Sequence, residues 1–244
     1  MRKSLLAQAS VFLRAAHFGP TLIVTATTFL LALSQYSIIE ALRVAIAIFA
    51  GQLVIGWSND FIDAPLDIAA QRAKKPIVGK EINPDLLRKS IVFAIFAALF
   101  LSLMSPLGLI GTLIHFLGLL SATLYNLKLK STILSPLPFI VSFGALPWAI
   151  YLPTGNQPPL WLFIDFMLIS VAFHFFNVLK DFQWDINQGV LGLPQRLGRN
   201  ASLAISISLV ISAILVLIFL NKLDLLHCNL VKNVVNHRFD SVFK

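Results

Sequence analysis

Long apolar segments alternate with short polar stretches along most of the chain. The segments lie at about 11–34, 41–58, 90–105, 107–125, 133–152, 160–180 and 201–220. Each is close to the roughly 20 residues that a helix needs to cross the hydrocarbon core of a membrane. The third and fourth are separated only by Ser105-Pro106-Leu107-Gly108, a tight turn signal. The pattern predicts an all-α, polytopic membrane bundle of seven transmembrane helices.

The composition supports a membrane protein. Of the 244 residues, 57% are hydrophobic and 12% are charged, and the mean hydropathy is +0.83. A soluble domain carries roughly twice that share of charged residues. No Gly/Ser-rich or Pro-rich linker divides the chain, so one membrane domain is expected. The single cysteine, Cys228, excludes an intrachain disulfide framework.

Basic residues fall almost entirely on one side of the predicted bundle. They are Arg2, Lys3, Arg14, Arg72, Lys74, Lys75, Lys80, Arg88, Lys89, Lys128, Lys130, Lys180, Arg196 and Arg199. The alternate loops, around Ser105 and "YLPTGNQPP", contain none. The positive-inside rule therefore places the N-terminus and the loops after helices 2, 4 and 6 in the cytoplasm, with the bundle in an inner or plasma membrane. Topology also explains the net charge of +8 without nucleic-acid binding.

Two clusters on that side hold five of the 11 acidic residues of the chain. The first is "NDFIDAPLD" at 59–67 and the second is "DFQWD" at 181–185. Acids at a helix end often act as caps or pair with nearby Lys and Arg. For one cluster alone, this structural role and a functional site would be equally good explanations. Two clusters at equivalent helix ends favour a shared site instead.

The spacing places the acids of each cluster on one helix face. If the second helix continues through 59–67, Asp60, Asp63 and Asp67 lie at i, i+3 and i+7. On the sixth helix, the i, i+4 and i+8 positions are Asn177, Asp181 and Asp185. Grouped carboxylates repel one another unless a cation joins them, and hard oxygen ligands suit Mg²⁺ with a substrate phosphate. Facing each other, the clusters would form a metal-bridged phosphate site.

Basic residues follow the acids closely. Arg72 and Lys75 lie in "RAKKPIVGK", and "YNLKLK" ends the fourth helix with Tyr125, Lys128 and Lys130. Ion pairing or topology explains any one lysine by itself. Together with a metal ion, these cations would form a clamp for a diphosphate, whose charge grows as the bond to it breaks.

The motifs resemble those of the UbiA superfamily of intramembrane prenyltransferases, which includes the 4-hydroxybenzoate polyprenyltransferases. "NDFIDAPLD" fits N-D-x-x-D-x-x-x-D, and "DFQWD" fits D-x-x-x-D. "RAKKPI" is similar to R-x-x-[RK]-P-I, "YNLKLK" to Y-x-x-x-L-K, and "GLPQRLG" to T-L-P-x-x-L-G. The five motifs occur in the order of the family, and the resemblance covers about residues 10–220.

The resemblance implies an all-helical membrane enzyme whose cytoplasmic loops cap a lipid-accessible cavity. In such enzymes Mg²⁺ binds a polyprenyl diphosphate, the diphosphate departs, and an acceptor attacks the allylic cation that forms. Aromatic acids and quinone precursors are the commonest acceptors of the family, and sugar phosphates, tetrapyrroles and lipid ethers are also used.

The resemblance also implies roles for individual residues. Mg²⁺ and diphosphate would be held by Asn59, Asp60, Asp63, Asp181 and Asp185, with Asp67 as a further ligand or an orienting group. The leaving diphosphate would be bound by Arg72, Lys75 and Lys130, with Lys128 as a second candidate and Asn177 as a further substrate contact. Tyr125 would stabilise the cation through its ring face or contact phosphate. The groups expected to act in catalysis are Asp60, Asp63, Asp181, Asp185, Lys130 and Tyr125.

Several polar residues lie outside this set. Asp165 is expected in the first turn of the sixth helix, where the helix dipole favours a carboxylate. His174 would either line the acceptor pocket or, as we favour, be a hydrogen-bonded buried histidine. His17 and Arg14 lie where an acceptor would approach, although topology alone accounts for Arg14.

The sequence departs from the family at its second motif and at its end. The acids that often follow the second aspartate are lacking, and Gly192 stands where Thr is common. The family usually has nine transmembrane helices, whereas charges after Leu220 are spaced too closely for a further span. We therefore expect a prenyltransferase domain at 1–220, then an atypical polar tail at 221–244 with a short amphipathic segment, which truncation or frame alteration would explain.

The sequence also fits other functions. A transporter or divalent-cation-binding protein would also use acidic clusters, although transporters place ionisable groups near the membrane midplane. A transferase of nucleotide-activated lipid heads would be expected to show D-G-x-x-A-R, which the chain lacks. An inactive, truncated prenyltransferase is a further alternative.

Overall fold

The computed structural model describes the backbone of residues 5–242 and the side chains of residues 6–220 and Lys222. Within that range it contains helices and turns without strands, which confirms the all-α class. The α-helices are α1 (Leu5–Ala15), α2 (Phe18–Ala32), α3 (Ile38–Ala69), α4 (Pro84–Met104), α5 (Gly108–Leu124), α6 (Leu137–Tyr151), α7 (Leu160–Val178), α8 (Phe182–Asn187), α9 (Leu193–Leu197) and α10 (Arg199–Val242). A π-helical turn, Tyr125–Leu129, continues α5, and a 3₁₀ turn, Leu152–Thr154, follows α6.

The first predicted span is not one continuous helix. The axes of α1 and α2 differ by 78°, because His17 between them adopts a left-handed φ of 52°. The bend brings the Ala16 backbone against Gly56 of α3, where a Cβ atom would lie 2.4 Å from the Ala16 carbonyl oxygen. Among the described residues, six helices are long and apolar enough to span a membrane, and the bent pair would be a seventh span.

Helix α3 extends the second predicted span through the first acidic cluster. It begins with a capping box in which Ser37 and Glu40 satisfy each other's backbone N–H groups. Its 32 residues make it about 48 Å long at 1.5 Å per residue, whereas the hydrocarbon core is about 30 Å thick. The helix is therefore longer than one crossing requires, and the acidic cluster occupies its last turns.

The sixth predicted span ends earlier than its acidic cluster. Helix α7 ends at Val178, and Asp181 is the N-cap residue of α8, with non-helical backbone angles of φ −109° and ψ 11°. The prediction that Asn177, Asp181 and Asp185 share one helix face is therefore wrong, because the chain turns between α7 and α8. Asp165 lies in the second turn of α7 rather than the first, and its Oδ1 atom has no hydrogen-bond partner among the described residues.

Helix α4 shows how the bundle separates lipid-facing from buried positions. Phe93, Phe96 and Phe100, at i, i+3 and i+7, are 74%, 65% and 63% exposed. Ala94 and Ala98 are 3% and 0% exposed on the opposite face, towards the bundle. Large apolar groups outside and small residues inside are typical of helices that pack in a membrane.

The remaining helices complete a layer around a central cavity. Helix α3 packs between α2 and α4, α6 packs between α5 and α7, and α10 packs against α7. Ser206 of α10 donates a hydrogen bond to the Ala172 carbonyl of α7 at 2.9 Å. Helix α10 runs on to Val242, so the predicted tail begins within it. The side chains on which the amphipathic character of that tail depends lie outside the described residues, and the domain division stays a prediction.

Candidate active site

A cavity of about 330 Å³ lies between α2, α3, α5, α6 and α7. Its inner wall is mostly apolar and includes Ile48, Leu119 and Leu146, with Gln52 and His115 as polar side chains. The lining also includes residues of all five sequence motifs, which are Asn59, Asp63, Arg72, Tyr125, Asn126, Lys130, Asp181, Trp184, Asp185 and Gln195, and it includes Asn177 and Lys180 just before the second acidic cluster. The fold therefore joins both acidic clusters at one end of an apolar chamber.

The first acidic cluster is divided between this cavity and the interior behind it. Asn59 and Asp63 line the cavity, and Asn59 Nδ2 donates to Asn126 Oδ1 at 2.9 Å. Asp60 and Asp67 are 2% and 1% exposed and lie outside the lining. The division follows from helix geometry, since Asn59 and Asp63 are about 40° apart around the axis whereas Asp60 is about 100° from Asn59.

The two buried acids are neutralised by the loop that follows α3. Lys75 Nζ lies 2.7 Å from Asp60 Oδ1 and 3.8 Å from Asp67 Oδ2. Arg72 Nη1 lies 3.4 Å from Asp67 Oδ1. Lys75 thus sits behind the cavity rather than in its lining, with its charge directed at the buried carboxylates.

Arg72 connects the two acidic clusters. Its Nη2 atom donates to Asp181 Oδ1 at 2.9 Å, while its Nη1 atom reaches Asp67. The guanidinium carbon lies 4.2 Å from the centre of the Trp184 ring, in a cation–π contact. Arg72 itself lines the cavity, so a planar cation is held between the two clusters.

The "YNLKLK" motif forms the π-helical turn after α5. The Lys130 N–H donates to the Tyr125 carbonyl at 3.0 Å, and both side chains line the cavity. Lys130 Nζ donates to Asp63 Oδ1. Lys128 is exposed and lies outside the lining. Such π-turns often occur at functional sites, and here the turn brings Tyr125 and Lys130 to the same chamber.

An aromatic cluster supports Tyr125. Its ring lies edge-on to Phe139 at 5.1 Å and to His174 at 5.6 Å, and the Phe139 and His174 rings stack at 4.5 Å. His174 is 2% exposed, and its Nε2 atom is 3.1 Å from Ser135 Oγ. His174 is therefore a hydrogen-bonded buried histidine, as the sequence favoured.

Asp185 has a different kind of partner from the other motif acids. Its Oδ2 atom accepts a hydrogen bond from Gln195 Nε2 at 2.8 Å. Burial raises the pKa of Asp185 from 3.8 to about 6, and the hydrogen bond from Gln195 opposes that rise. Asn177 also lines the cavity, near the end of α7.

Several lining residues were missed by the sequence reasoning. Asn126, Trp184 and Gln195 occupy variable positions inside the motifs, so only their neighbours in sequence signalled them. His17, which was left out of the predicted site, lines the cavity with Nε2 3.9 Å from Asp60 Oδ1. Arg14 instead bonds to Glu81 at 2.5 Å.

The residues present fit Mg²⁺ chemically. One amide and three carboxylates line the cavity, at Asn59, Asp63, Asp181 and Asp185, and such hard oxygen donors suit this ion. Behind them, the Oδ2 atom of Asp60 is buried without a hydrogen-bond partner. Among the side chains that the structure describes, no three His, Cys, Asp or Glu groups already form a metal cluster, because Lys or Arg partners separate most of the acids.

Comparison with known proteins identifies the family. The model of the UbiA prenyltransferase family matches residues 21–228. The chain belongs to this family. No curated protein sequence matches it significantly.

Two solved structures share the fold. One is a UbiA homolog from Archaeoglobus fulgidus bound to GPP and Mg²⁺, with a TM-score of 0.68 and 12% identity over 86% of this chain and 77% of that chain. The other is a digeranylgeranylglyceryl phosphate synthase, with a TM-score of 0.62 and 20% identity over 86% of this chain and 76% of that chain. The bundle around the cavity is therefore the architecture of UbiA-type membrane proteins.

Proposed function

We propose that the protein transfers a prenyl or polyprenyl group from an allylic diphosphate to an acceptor in a Mg²⁺-dependent reaction. The cavity supports this proposal best, because it combines an apolar chamber with charged lining residues: Asp63, Asp181, Asp185, Arg72 and Lys130. An isoprenoid diphosphate has the same division between an apolar chain and a charged head. The GPP and Mg²⁺ bound by the Archaeoglobus fulgidus homolog support this donor class and this metal.

The polar end would bind the diphosphate through metal and cations. Mg²⁺ would be held by Asn59, Asp63, Asp181 and Asp185, where it would neutralise charge on the diphosphate oxygens. Arg72 and Lys130 would contact the same oxygens, since both line the cavity. Asp60 and Asp67 would support the site from behind through Lys75 and Arg72.

The chemical step would break the bond between the first prenyl carbon and the diphosphate oxygen. The bonding electron pair leaves with the diphosphate, and Arg72 and Lys130 stabilise the charge that develops on it. The ring of Tyr125 would stabilise the allylic cation through its face. The acceptor nucleophile then bonds to the cationic carbon and loses a proton, while the apolar wall limits attack by water.

We assign the acceptor to the aromatic or quinone-precursor class that is commonest in the family. Glycerol phosphate ethers should also be tested as acceptors, because one protein of the same fold is a digeranylgeranylglyceryl phosphate synthase. We also propose that the bundle lies in the inner or plasma membrane with the charged end of the cavity facing the cytoplasm, because the basic loops lie on that side.

The test uses the purified protein in lipid nanodiscs with labelled geranyl diphosphate and a panel of these acceptors. We expect Mg²⁺-dependent labelled product, and a loss of about 10²-fold or more in Asp63→Ala and Asp181→Ala. Asp85→Ala is the matched control, because that acid is exposed at the start of α4 and pairs with Arg88 at 3.3 Å.

A second matched pair tests the predicted cations. Lys130→Ala should reduce the rate strongly, while Lys128→Ala, two residues away but outside the cavity lining, should not. Product that forms equally without Mg²⁺, or that survives in both aspartate variants, would contradict the proposed reaction.

A further inference from the structure

Gln195 contacts an acid of the second cluster although it belongs to neither aspartate motif. It lies in the short helix α9, within "GLPQRLG", and is 8% exposed. Its side chain lines the cavity, and its Nε2 atom donates to Asp185 Oδ2 at 2.8 Å. This contact links helix α9 to Asp185, which also lines the cavity.

Close packing fixes the position of α9. A Cβ atom at Gly192 would lie 2.6 Å from the Lys130 carbonyl oxygen and 2.9 Å from Gln195 Oε1. The Leu193 N–H donates to Ser135 Oγ at 3.0 Å. A side chain at this position would therefore not fit in this arrangement, and glycine allows α9 to approach the π-turn.

A second anchor holds the other side of α9. Ser202, in the first turn of α10, is fully buried and donates to the Pro194 carbonyl at 2.8 Å. Gln195 is thus held by backbone packing on both sides and presents its amide to Asp185 from a fixed position.

The chemistry of this partner differs from that of the other motif acids. Asp60, Asp63, Asp67 and Asp181 each lie within 4 Å of a lysine or arginine. Among the described side chains no lysine or arginine lies that close to Asp185, and Lys130 and Arg72 act on it only from a longer distance. A positive charge at a carboxylate opposes the approach of a metal cation. A neutral amide orients the carboxylate through one oxygen and leaves its negative charge available.

We infer that Gln195 is a positioning residue that holds Asp185 in the orientation required for divalent-metal binding, an inference that rests on the proposed function. Hydrogen-bond partners of metal ligands contribute in this way in many metal sites, and their loss typically weakens metal affinity about 10- to 100-fold. Gln195 touches neither the reacting atoms nor the diphosphate in this assignment and acts only through Asp185.

The experiment measures metal binding rather than turnover. Mn²⁺ replaces Mg²⁺, and its binding to the intact protein in nanodiscs is followed by electron paramagnetic resonance in the presence of geranyl diphosphate. Gln195→Leu should weaken Mn²⁺ binding about tenfold. Gln183→Leu is the matched control, because Gln183 is exposed on α8, two residues from Asp185, and bonds only to Asn187 among the described contacts.

A double-mutant cycle shows whether Gln195 acts through Asp185. In the Asp185→Asn background, Gln195→Leu should cause no further loss of Mn²⁺ binding. Gln195→Asn retains the amide on a shorter side chain, and we expect its Mn²⁺ affinity to lie between those of the native protein and Gln195→Leu. This graded result would show that the loss in the leucine variant is not caused by misfolding.

The outcomes separate the two proposals. Mn²⁺ binding that is unchanged in Gln195→Leu, or losses that add in the double variant, would overturn the role of Gln195 while leaving the proposed function intact. A native protein that binds no Mn²⁺ with geranyl diphosphate would overturn both.

Discussion

The two acidic clusters reach the same cavity by different structural routes. The first lies on α3, a single continuous helix, and its acids are paired with the lysines and arginine of the following segments. The second begins at the N-cap of α8, after α7 has ended, and its last acid accepts a hydrogen bond from an amide of α9. The first cluster thus lies on one long helix, whereas the second lies on a short helix whose acids are held by Arg72 and Gln195 from other segments of the chain.

The difference suggests a division of labour. Buried ion pairs such as Lys75–Asp60 hold the loop after α3 against the bundle. Asp185 has no direct ion pair among the described residues and accepts a hydrogen bond from a neutral amide, so we expect its charge to be available for a ligand. The first cluster should therefore contribute more to stability, and the end of the second should contribute more to metal binding.

Loss of Arg72 should have the largest effect on the site, because this residue contacts acids of both clusters. Arg72→Ala should reduce kcat/KM for the donor by about 10³-fold, since the cation at the diphosphate position is lost. Arg72→Lys keeps the charge but loses the planar stack on Trp184, and we expect an intermediate rate. Steady-state kinetics in nanodiscs would measure both.

The control for this effect is Arg88→Ala, which removes an exposed arginine of α4 that pairs with Asp85. Its rate should equal that of the native protein. An Arg72→Ala enzyme with near-native kcat/KM would show that the two clusters do not depend on a shared cation.

The buried pair in the first cluster offers a test of stability. Asp60→Asn leaves Lys75 without its closest carboxylate in a protected site, and the free energy of unfolding should fall by about 3 kcal/mol. Asp185→Asn, whose described hydrogen-bond partner is the neutral Gln195, should change it by about 1 kcal/mol or less. Denaturant unfolding of both variants in the same lipid mixture would compare them, and equal losses would remove the proposed distinction.

The smallest expected effect concerns pH. The pKa of Asp185 is raised from 3.8 to about 6, so protons compete with Mg²⁺ for this carboxylate as the pH falls through 6. For one such proton, Mg²⁺ affinity should decrease about tenfold between pH 7 and pH 5. A Mg²⁺ titration at a series of pH values would measure the decrease.

Asp185→Asn provides the comparison for the pH series, because asparagine carries no titrating proton at this position. The component centred near pH 6 should then disappear. A pH dependence that is identical in the native protein and the variant would assign the titration to another group.

Much of the site was predictable because the acidic clusters follow apolar spans on the same side. Asn59 and Asp63 line the cavity, and α3 continues through them, which was the condition for the acids to share a helix face. The roles of Asp60 and Asp67 were less accessible, because the sequence does not show that Lys75 and Arg72 contact these buried acids. Lys130 was the main candidate of the sequence and Lys128 the second, and the π-turn brings only Lys130 into the cavity lining.

The sequence by itself determined the membrane bundle, its predicted orientation, the family motifs and the positions of the acids at helix ends. These features depend on hydrophobicity and charge over about 20 consecutive residues, which is local information. The bend at His17, the break before Asp181 and the contact between Gln195 and Asp185 were decided by tertiary structure. These features depend on close contacts between backbone segments, such as Gly56 against Ala16 and Gly192 against Lys130. The two partners of each contact lie far apart in the sequence, so no single stretch contains both.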